Sequence, residues 1–378
     1  MEYKIPLSKP WIIEEDIKAV EEVLRTPYLS LGPKLEEFEK KITDISKTKY
    51  AVAVNSGTSA LHLIIRSLGI KDGDEVITTP FSFIASSNCI LFERAKPVFV
   101  DIRKGTYNID SDLIEEEITE KTKAILGVDV FGQPAEWDKI EKIAEKYKLY
   151  VIEDSCEAIG SEYKDKKAGS FGVAGAFAFY PNKQITTGEG GVVVTDNEKI
   201  YRLSRSMRNQ GRGEDESWLY HTSLGYNYRI SDINCALGIS QLGRFDEIIG
   251  KRNNVATIYT KRLSEISEVV VPYVSPDTTK MSWFVYVIRL NDSFDERKRD
   301  IIIDKLGKRG IDTRNYFEAI HLQPFYVEQF GFKKGDFPIT EFVSERTIAL
   351  PFYTTMTEEE IDYVVNNLKE VILEVKKL

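Results

Sequence analysis

The alternation of short apolar runs with amphipathic helical patterns is the feature that most constrains the fold of this chain. The run "YAVAV" precedes the helical pattern "TSALHLIIRSLG", and "DEVITTP", "SFIASSNCILFER" and "KPVFVDI" continue with a strand, a helix and a strand. A further unit consists of "KAILGVDVFG", "EWDKIEKIAEKYK" and "LYVIEDS". Runs that are apolar on both faces and separated by helices are typical of a mostly parallel sheet covered on both sides. We therefore predict an α/β fold whose ligands bind beyond the carboxyl ends of the strands.

The pattern changes at about residue 232, where a long helical stretch begins. After it, "SWFVYVIRL" predicts a strand, and "ERKRDIIIDKLGKRG" and "TEEEIDYVVNNLKEVILEVKKL" predict helices. The chain of 378 residues is also longer than one hydrophobic core usually serves. We predict a large domain over residues 1–250 and a smaller C-terminal α/β domain over residues 251–378.

Charge and composition argue against several classes of function. The net charge of −9 opposes binding to nucleic acid, which needs a basic surface. Three cysteines without a CxxC pair and three scattered histidines indicate neither a disulfide framework nor a metal site. No apolar run reaches the length of about 18 residues that a membrane span needs, and the N-terminus lacks a signal-peptide pattern. We expect a cytoplasmic protein with no nucleic-acid partner and no membrane segment.

Polar residues that follow two of the predicted strands are the first candidates for a site. Gly57 opens the helix after the first strand, where free backbone N–H groups can bind a phosphate and the Thr58 hydroxyl can assist. A glycine at this place is also ordinary turn chemistry. Asp154 ends a buried strand, where a carboxylate needs a cation or a protonated ligand atom as its partner. The alternative for Asp154 is the cap of a following helix.

An aromatic ring and a lysine complete the candidates. Phe83 follows another strand and is either a ring that stacks on a ligand or a ring of the core. Lys183 lies between "AFAFYPN" and "QITTGEGG", and no other charged residue occurs from Gly169 to Thr187. It is either a solvated loop charge or a side chain aimed into a site. Desolvation favours the neutral amine, which is a nucleophile toward carbonyls, so the functional alternative is Schiff-base chemistry.

Taken together, these candidates are the parts that a pyridoxal phosphate enzyme needs. They offer a phosphate cradle, a stacking ring, an acid able to pair with a pyridinium nitrogen and a lysine for an aldehyde. Their order along the chain, Gly57, Phe83, Asp154 and Lys183, is also that of the large aminotransferase fold. We predict pyridoxal 5'-phosphate as the cofactor, with pyridoxamine phosphate as its intermediate form.

The sequence resembles the DegT/StrS family of nucleotide-sugar aminotransferases, pyridoxal phosphate enzymes of fold type I. The matching motifs span nearly the whole chain and include "NSGTSALHL", "GDEVITTPFSFIASSN", "IEDSCEAIGSEY", "FAFYPNKQITTGEGG", "LGYNYRISDINCALG" and "TRNYFEAIHLQPFY". The resemblance implies an aspartate aminotransferase-like large domain. It further implies that Lys183 forms the Schiff base and moves the proton, that Asp154 pairs with the ring nitrogen and that Glu157 lies near the ring hydroxyl.

Two further positions carry implications from the resemblance. Asn227 in "GYNYR" matches an asparagine that reaches the phosphate from a neighbouring subunit, which implies a homodimer with shared active sites. Many family members have a serine that holds the phosphate five residues before the lysine, and here that position is Ala178. The phosphate is then expected to depend more on Gly57 and Asn227, or on another hydroxyl.

The activity that the resemblance implies is a ping-pong transamination. An amino-acid donor, glutamate, gives its amino group to the cofactor, and a nucleotide-linked 3-keto or 4-keto sugar, often 6-deoxy, then receives it. The product would supply amino sugars for surface polysaccharide or glycan. Arg314, Tyr316 and His321 lie in the segment that resembles the family's C-terminal cleft, so they are candidates for substrate contacts, although each could be structural.

Three other functions remain alternatives. A sugar dehydratase on the same scaffold would replace the lysine with histidine, and Lys183 argues against it. A non-catalytic regulator that binds the cofactor or a sugar would not need both Lys183 and Asp154. An amino-acid aminotransferase or lyase shares the fold, but the "GYNYR" and "IHLQPFY" segments would not be expected in it.

Overall fold

A computed structural model describes residues 3–213 and 220–377. Its strands, in chain order, are β1 Tyr50–Val54, β2 Glu75–Thr78, β3 Lys96–Phe99, β4 Thr122–Val128, β5 Tyr150–Asp154, β6 Glu162–Tyr163, β7 Lys166–Lys167, β8 Ala174–Ala178, β9 Gly191–Thr195, β10 Val269–Val270, β11 Tyr286–Leu290 and β12 Thr347–Leu350.

The α-helices are α1 Glu14–Leu24, α2 Pro33–Ser46, α3 Gly57–Ser67, α4 Ala85–Leu91, α5 Trp137–Tyr147, α6 Glu198–Arg208, α7 Asp232–Gly243, α8 Phe245–Leu263, α9 Glu296–Lys308, α10 Pro324–Phe330, α11 Pro338–Ser344 and α12 Glu358–Val375. Short 3-10 helices cover Ser111–Glu117, Val130–Gly132 and Ile320–Leu322. None of the helices in the described ranges is long and apolar enough to cross a bilayer.

Seven strands form the central sheet in the order β1-β9-β8-β5-β4-β2-β3. From β8 through β3 every neighbouring pair is parallel, whereas β9 runs antiparallel to both β1 and β8. The predicted mostly parallel sheet is therefore confirmed. The predicted strand–helix units correspond to β1 through β5 with α3, α4 and α5, while β8 and β9 lie outside those units.

Both faces of this sheet are covered, as the lack of a polar face in the strands predicts. Val52 and Val54 of β1 pack in the same core as Ile64 of α3. The alternate residues Ala51 and Ala53 point to the other face and share a core with Phe38 of α2. Burial on both faces explains why the strands read as continuous apolar runs. The polar chemistry is consequently confined to the ends of the strands.

A three-stranded antiparallel sheet, β10-β11-β12, forms a second core with α9 and α12. Helix α8 passes between the two regions. Phe245 and Ile249 at its start pack in a core of the large sheet, and Val255 and Leu263 further along pack in the core of the small one. The N-terminal Ile5 also joins the second core. The predicted boundary at residue 250 falls inside α8, and the domain division stays a prediction.

Candidate active site

A cavity of about 540 Å³ opens where β4 and β5 end and α3 begins. This volume is within the range of pockets that bind cofactors and small substrates. Six of the residues predicted to contact a cofactor line it: Gly57, Thr58, Phe83, Asp154, Glu157 and Lys183. The sheet topology brings them together although they are spread over more than a hundred positions of sequence. The predicted location beyond the strand ends is therefore the place where they meet.

The first turn of α3 presents its N-terminal end to the cavity. Ser56 is the N-cap, and its Oγ accepts a hydrogen bond from the Ser59 N–H at 3.1 Å. The N–H groups of Gly57 and Thr58 have no intrahelical acceptor at this end of the helix, where the dipole is positive. A Cβ atom on Gly57 would lie 2.7 Å from Ala178 Cβ and 2.9 Å from the Cys156 sulfur. Only glycine fits this close approach, and the result is a cradle suited to a phosphate.

Asp154 is a buried carboxylate at the end of β5. The residue is only 4% exposed, and its Oδ2 accepts a hydrogen bond from Ser86 Oγ at 2.7 Å. Oδ1 accepts a second bond from the Cys156 N–H at 3.2 Å. No α-helix begins after β5, so the alternative of a helix cap does not apply. Among the described residues the Asp154 carboxylate is held by these two hydrogen bonds and by no salt bridge, which leaves it suited to a protonated atom of a ligand.

Lys183 ends a tight turn that directs its amine into the cavity. Its backbone N–H donates to the Tyr180 carbonyl at 2.9 Å, and Pro181 occupies the second turn position, where its fixed φ is favourable. The side chain is largely buried, with Nζ 3.6 Å from Glu157 Oε1 and 3.8 Å from the centre of the Phe284 ring. A solvated loop charge would not have these surroundings.

The next residue along, Gln184, points away from the cavity and anchors the loop. Its Nε2 donates to the Glu157 carbonyl at 2.6 Å and to the Ser282 carbonyl at 3.0 Å. The loop that carries Lys183 is thereby tied both to the β5 end and to the segment leading to Phe284. These bonds limit the freedom of the lysine backbone, which fixes the direction of its side chain.

Glu157 is the acidic neighbour of the Lys183 amine. Its Oε2 accepts a hydrogen bond from the Phe131 N–H at 2.9 Å. Burial raises the pKa of Glu157 above its ordinary value, while the positive charge of Lys183 opposes that rise. The acid and the amine therefore lie next to each other at the wall of the cavity, within reach of a ligand.

Phe83 is an exposed ring at the cavity, not a ring of the core. It is 61% exposed, whereas Phe81 two residues earlier is completely buried. Tyr180 on the opposite loop is likewise 52% exposed and lines the cavity. Open aromatic faces at a cavity wall are suited to stacking against a planar ligand.

Of the three predicted substrate contacts, only Tyr316 lines the cavity. Arg314 is exposed and forms an ion pair of 2.8 Å with Asp312. His321 is completely buried, and its Nε2 lies 3.1 Å from Glu341 Oε1. Burial lowers the pKa of His321, consistent with a neutral ring in a packed interior. We therefore leave Arg314 and His321 out of the proposed substrate contacts.

Asn227 does not line the cavity of its own chain. It is exposed, and its carbonyl accepts a hydrogen bond from Asn55 Nδ2 at 3.4 Å. The adjacent Tyr226 and Tyr228 stack on each other, and the Tyr228 hydroxyl lies 3.0 Å from His62 Nδ1 of α3. The segment is thus held beside α3 with the Asn227 side chain on the surface.

Several lining residues were not predicted from the sequence, among them Ser86, Tyr180, Asn182 and Phe284. Tyr180 and Asn182 could have been found from their place in the turn before Lys183. Phe284 comes from a distant segment and carries no sequence signal of its own. Ser86 lies in α4, where its role follows only from its bond to Asp154.

Comparisons with known proteins agree with this arrangement. The model of the DegT/DnrJ/EryC1/StrS aminotransferase family matches residues 10–369. The spore coat polysaccharide biosynthesis protein SpsC of Bacillus subtilis is 36% identical, with 97% of each chain covered. The GDP-perosamine synthase of Escherichia coli O157:H7 is also 36% identical, with 97% of this chain and 98% of the relative covered.

Solved structures show the same fold. Spr1654 from Streptococcus pneumoniae, in its PMP form, superposes with a TM-score of 0.94 and 30% identity, covering 98% of this chain and 100% of that one. Its PLP form superposes with a TM-score of 0.93. These matches extend over both sheets, and the predicted aspartate aminotransferase-like fold is confirmed.

Proposed function

The chain belongs to the DegT/DnrJ/EryC1/StrS aminotransferase family, and we propose that it moves an amino group from glutamate to a nucleotide-linked keto sugar. Membership confirms the predicted enzyme class and pyridoxal phosphate as the cofactor. The acceptor class is supported by the relatives named GDP-perosamine synthase and spore coat polysaccharide biosynthesis protein. The acceptor is a 3-keto or 4-keto hexose, often 6-deoxy, and the product supplies amino sugars for surface polysaccharide or glycan.

The main support for this proposal is that one cavity is lined by Lys183, Asp154 and the first residues of α3. A cradle that excludes a Cβ atom, a buried acid without a cation and a largely buried amine fit the phosphate, the ring nitrogen and the carbonyl of pyridoxal phosphate. When bound, this cofactor supplies a carbonyl for amines and an electron sink for the carbon that loses its proton. Phe83 offers an open ring face that can cover the cofactor plane.

The residues of the chain have separate tasks in the transfer. Asp154, whose Oδ2 is held by the Ser86 hydroxyl, would hold the ring nitrogen of the cofactor and favour its protonated form. Lys183 Nζ would hold the cofactor through its carbonyl before a donor binds, and the freed amine could then accept and donate the proton that moves. Glu157 Oε1 lies 3.6 Å from this amine and keeps a proton available close to it. Tyr180 and Phe83 line the open side of the cavity, where their exposed rings can cover a bound ligand.

We propose a homodimer in which each cavity is completed by Asn227 of the other subunit. The placement of Asn227 on the surface, outside its own cavity, supports this proposal. So does Ala178, because a site without the serine hydroxyl has more need of another phosphate contact.

We also propose a cytoplasmic location. Cys89, Cys156 and Cys235 are all free thiols, two of them buried. Unpaired cysteines are usual in proteins of a reducing compartment.

The experiment that tests the proposed function compares three proteins with glutamate and a panel of nucleotide-linked keto sugars. The wild type is expected to form an amino sugar with at least one member. Lys183→Ala is expected to lose this activity, and Lys199→Ala, which changes an exposed lysine of α6, is expected to keep it. Amino-sugar formation that survives in Lys183→Ala would overturn the mechanism. A sugar product that lacks the amino group would instead indicate a dehydratase.

A further inference from the structure

We propose that Asn182, together with Tyr316, recognises the hydroxyl of the acceptor sugar next to the carbonyl that receives the amino group. The inference deepens the proposed function and rests on it. Both residues line the cavity, and Asn182 directly precedes Lys183. Asn182 would be a specificity-determining residue, because it contacts the substrate and not the cofactor.

The side-chain amide of Asn182 makes few hydrogen bonds to the described residues. Its Oδ1 atom is buried and has no hydrogen-bond partner there. Its Nδ2 atom lies 3.5 Å from the Tyr316 hydroxyl, at the outer limit of a hydrogen bond. A buried carbonyl oxygen without a partner is unfavourable, so a ligand group that supplies the missing donor is favoured. A hydroxyl group can donate to Oδ1 and accept from Nδ2 or Tyr316 at the same time.

The backbone turn determines which part of a substrate Asn182 can reach. Tyr180 to Lys183 form the turn, so the Asn182 and Lys183 side chains leave adjacent positions of one rigid loop. Lys183 Nζ has to act at the carbon that loses or gains a proton. A polar group on the neighbouring residue can therefore reach a substituent on the adjacent carbon.

Tyr316 approaches from a segment far away in sequence and is held rigidly. Its ring stacks on Phe317 at 4.8 Å and contacts Phe131 at 6.2 Å between ring centres. Burial raises the pKa of Tyr316 to about 12, so its hydroxyl keeps its proton at neutral pH. A fixed, protonated phenol is a donor that a sugar oxygen can use without loss of side-chain entropy.

The charges of the cavity wall favour a sugar over the amino-acid donor at this position. Lys183 is the only cation among the described lining residues, and Glu157 and Glu189 lie on the same wall. Apart from Lys183, a donor carboxylate would find no cation among the described lining residues, whereas neutral hydroxyls suit an amide and a phenol. The exposed rings of Phe83 and Tyr180 can also pack against the apolar face of a hexose.

The test separates the two half-reactions, using the holoenzyme and an acceptor found in the nucleotide-sugar panel. Asn182→Ala and Tyr316→Phe are expected to leave the rate of the glutamate half-reaction within about twofold of wild type. The KM for the acceptor is expected to rise on the order of tenfold, the factor that about 1.4 kcal/mol represents. Asn254→Ala, an exposed asparagine of α8, serves as the matched control and should change neither.

An acceptor that lacks the neighbouring hydroxyl separates direct recognition by Asn182 from a structural role, because a structural role would not change the discrimination between the two acceptors. An acceptor without the neighbouring hydroxyl should bind the wild type about tenfold more weakly, while Asn182→Ala should no longer discriminate. If both half-reactions slow equally, or if wild type and variant discriminate equally, this inference is wrong and the proposed function stands. If the wild type reacts with glutamate but aminates no nucleotide-linked sugar, the proposed function fails and this inference fails with it.

Discussion

Ala178 occupies the position at which the family resemblance predicts a phosphate-binding serine. It lies beside the first turn of α3, where a Cβ on Gly57 would be 2.7 Å from the Ala178 Cβ. The hydroxyl of Ser56 accepts the Ser59 N–H as helix cap and also lies 2.9 Å from the Ser59 hydroxyl, so Thr58 is the hydroxyl of this turn that remains at the cavity. The proposed phosphate end would therefore rely mainly on backbone N–H groups, with few side-chain donors.

Restoring the missing hydroxyl should strengthen cofactor binding. We expect Ala178→Ser to lower the Kd of pyridoxal phosphate about tenfold, because a hydrogen bond to a charged group contributes about 1.5–3 kcal/mol. Titration of the apoprotein, followed by cofactor absorbance, measures this change. Ala178→Val is the matched control, which adds volume without a donor and should weaken binding. A serine variant with unchanged or weaker affinity would show that the cradle is already complete.

At the level of single residues, the sequence predicted which segments form the site better than it predicted the direction of each side chain. Gly57, Asp154 and Lys183 were predicted because each follows a strand or an apolar run, and all three line the cavity. His321 lies in an equally suggestive segment, yet its ring is buried against Phe337 at 4.8 Å. Side-chain direction depends on tertiary packing, which a single motif does not specify.

At the level of elements, the ends of β4 and β5 hold a pair of buried carboxyl groups behind Asp154. Ser155 Oγ lies 2.6 Å from Asp129 Oδ2 and 2.6 Å from Glu153 Oε1. A hydroxyl has one proton and can donate to only one of these oxygens, so the other short contact requires a proton on a carboxyl group. Burial raises the pKa of Asp129 to about 6. The pKa of Glu153 is also raised, mainly by burial and to a smaller extent by the negative charge of Asp129.

This pair should make stability depend on pH. The raised pKa of Asp129 contributes stability that is complete below about pH 4, the usual range of an unfolded aspartate, and is lost as pH rises through about 6. Asp129→Asn mimics the protonated acid and has no such loss. We expect the stability of the variant relative to wild type to increase across this window, by roughly 1.4 kcal/mol for each pKa unit of the shift.

Denaturant unfolding at a series of pH values, followed by the fluorescence of the neighbouring Trp137, measures the effect. Asp72→Asn, at an exposed position, is the control and should follow the wild type at every pH. Parallel pH profiles of Asp129→Asn and wild type would mean that the pair holds no extra proton in the folded state.

Strands β8 and β9 were not predicted from the sequence, and they illustrate the limit of predicting secondary structure from local patterns. β8 and β9 are paired antiparallel around the loop that carries Lys183, so their register depends on long-range contacts with β5 and β1. By contrast, β1 to β5 each have an adjacent helix whose periodicity marks the boundary. The same holds for the site. Phe284 and Tyr316 line the cavity through tertiary packing in the core of the large sheet, which the sequence pattern does not indicate.

At the level of the whole molecule, the proposed homodimer predicts complementation between two defective variants. In a mixed dimer of Lys183→Ala and Asn227→Asp, one cavity combines an intact lysine with the partner's intact asparagine. Random pairing of equal amounts should therefore recover about a quarter of wild-type activity, although each variant alone is strongly impaired. Aspartate is chosen because its charge repels a phosphate.

Coexpression of the two variants, with activity measured against the sum of the separate proteins, tests this prediction. Lys199→Ala mixed with Asn227→Asp is the control for dilution by a normal partner. If the Lys183→Ala mixture shows no more activity than that sum, Asn227 does not act across the subunit boundary.

The most direct test of the central claim follows the amino group itself. The holoenzyme is treated with nitrogen-15 glutamate, freed of small molecules, and then mixed with the nucleotide-linked keto sugar in the absence of any donor. We predict one labelled amino sugar per active site, measured by mass spectrometry, and none with Lys183→Ala. An acceptor sugar that stays unlabelled while the glutamate step proceeds would contradict the account.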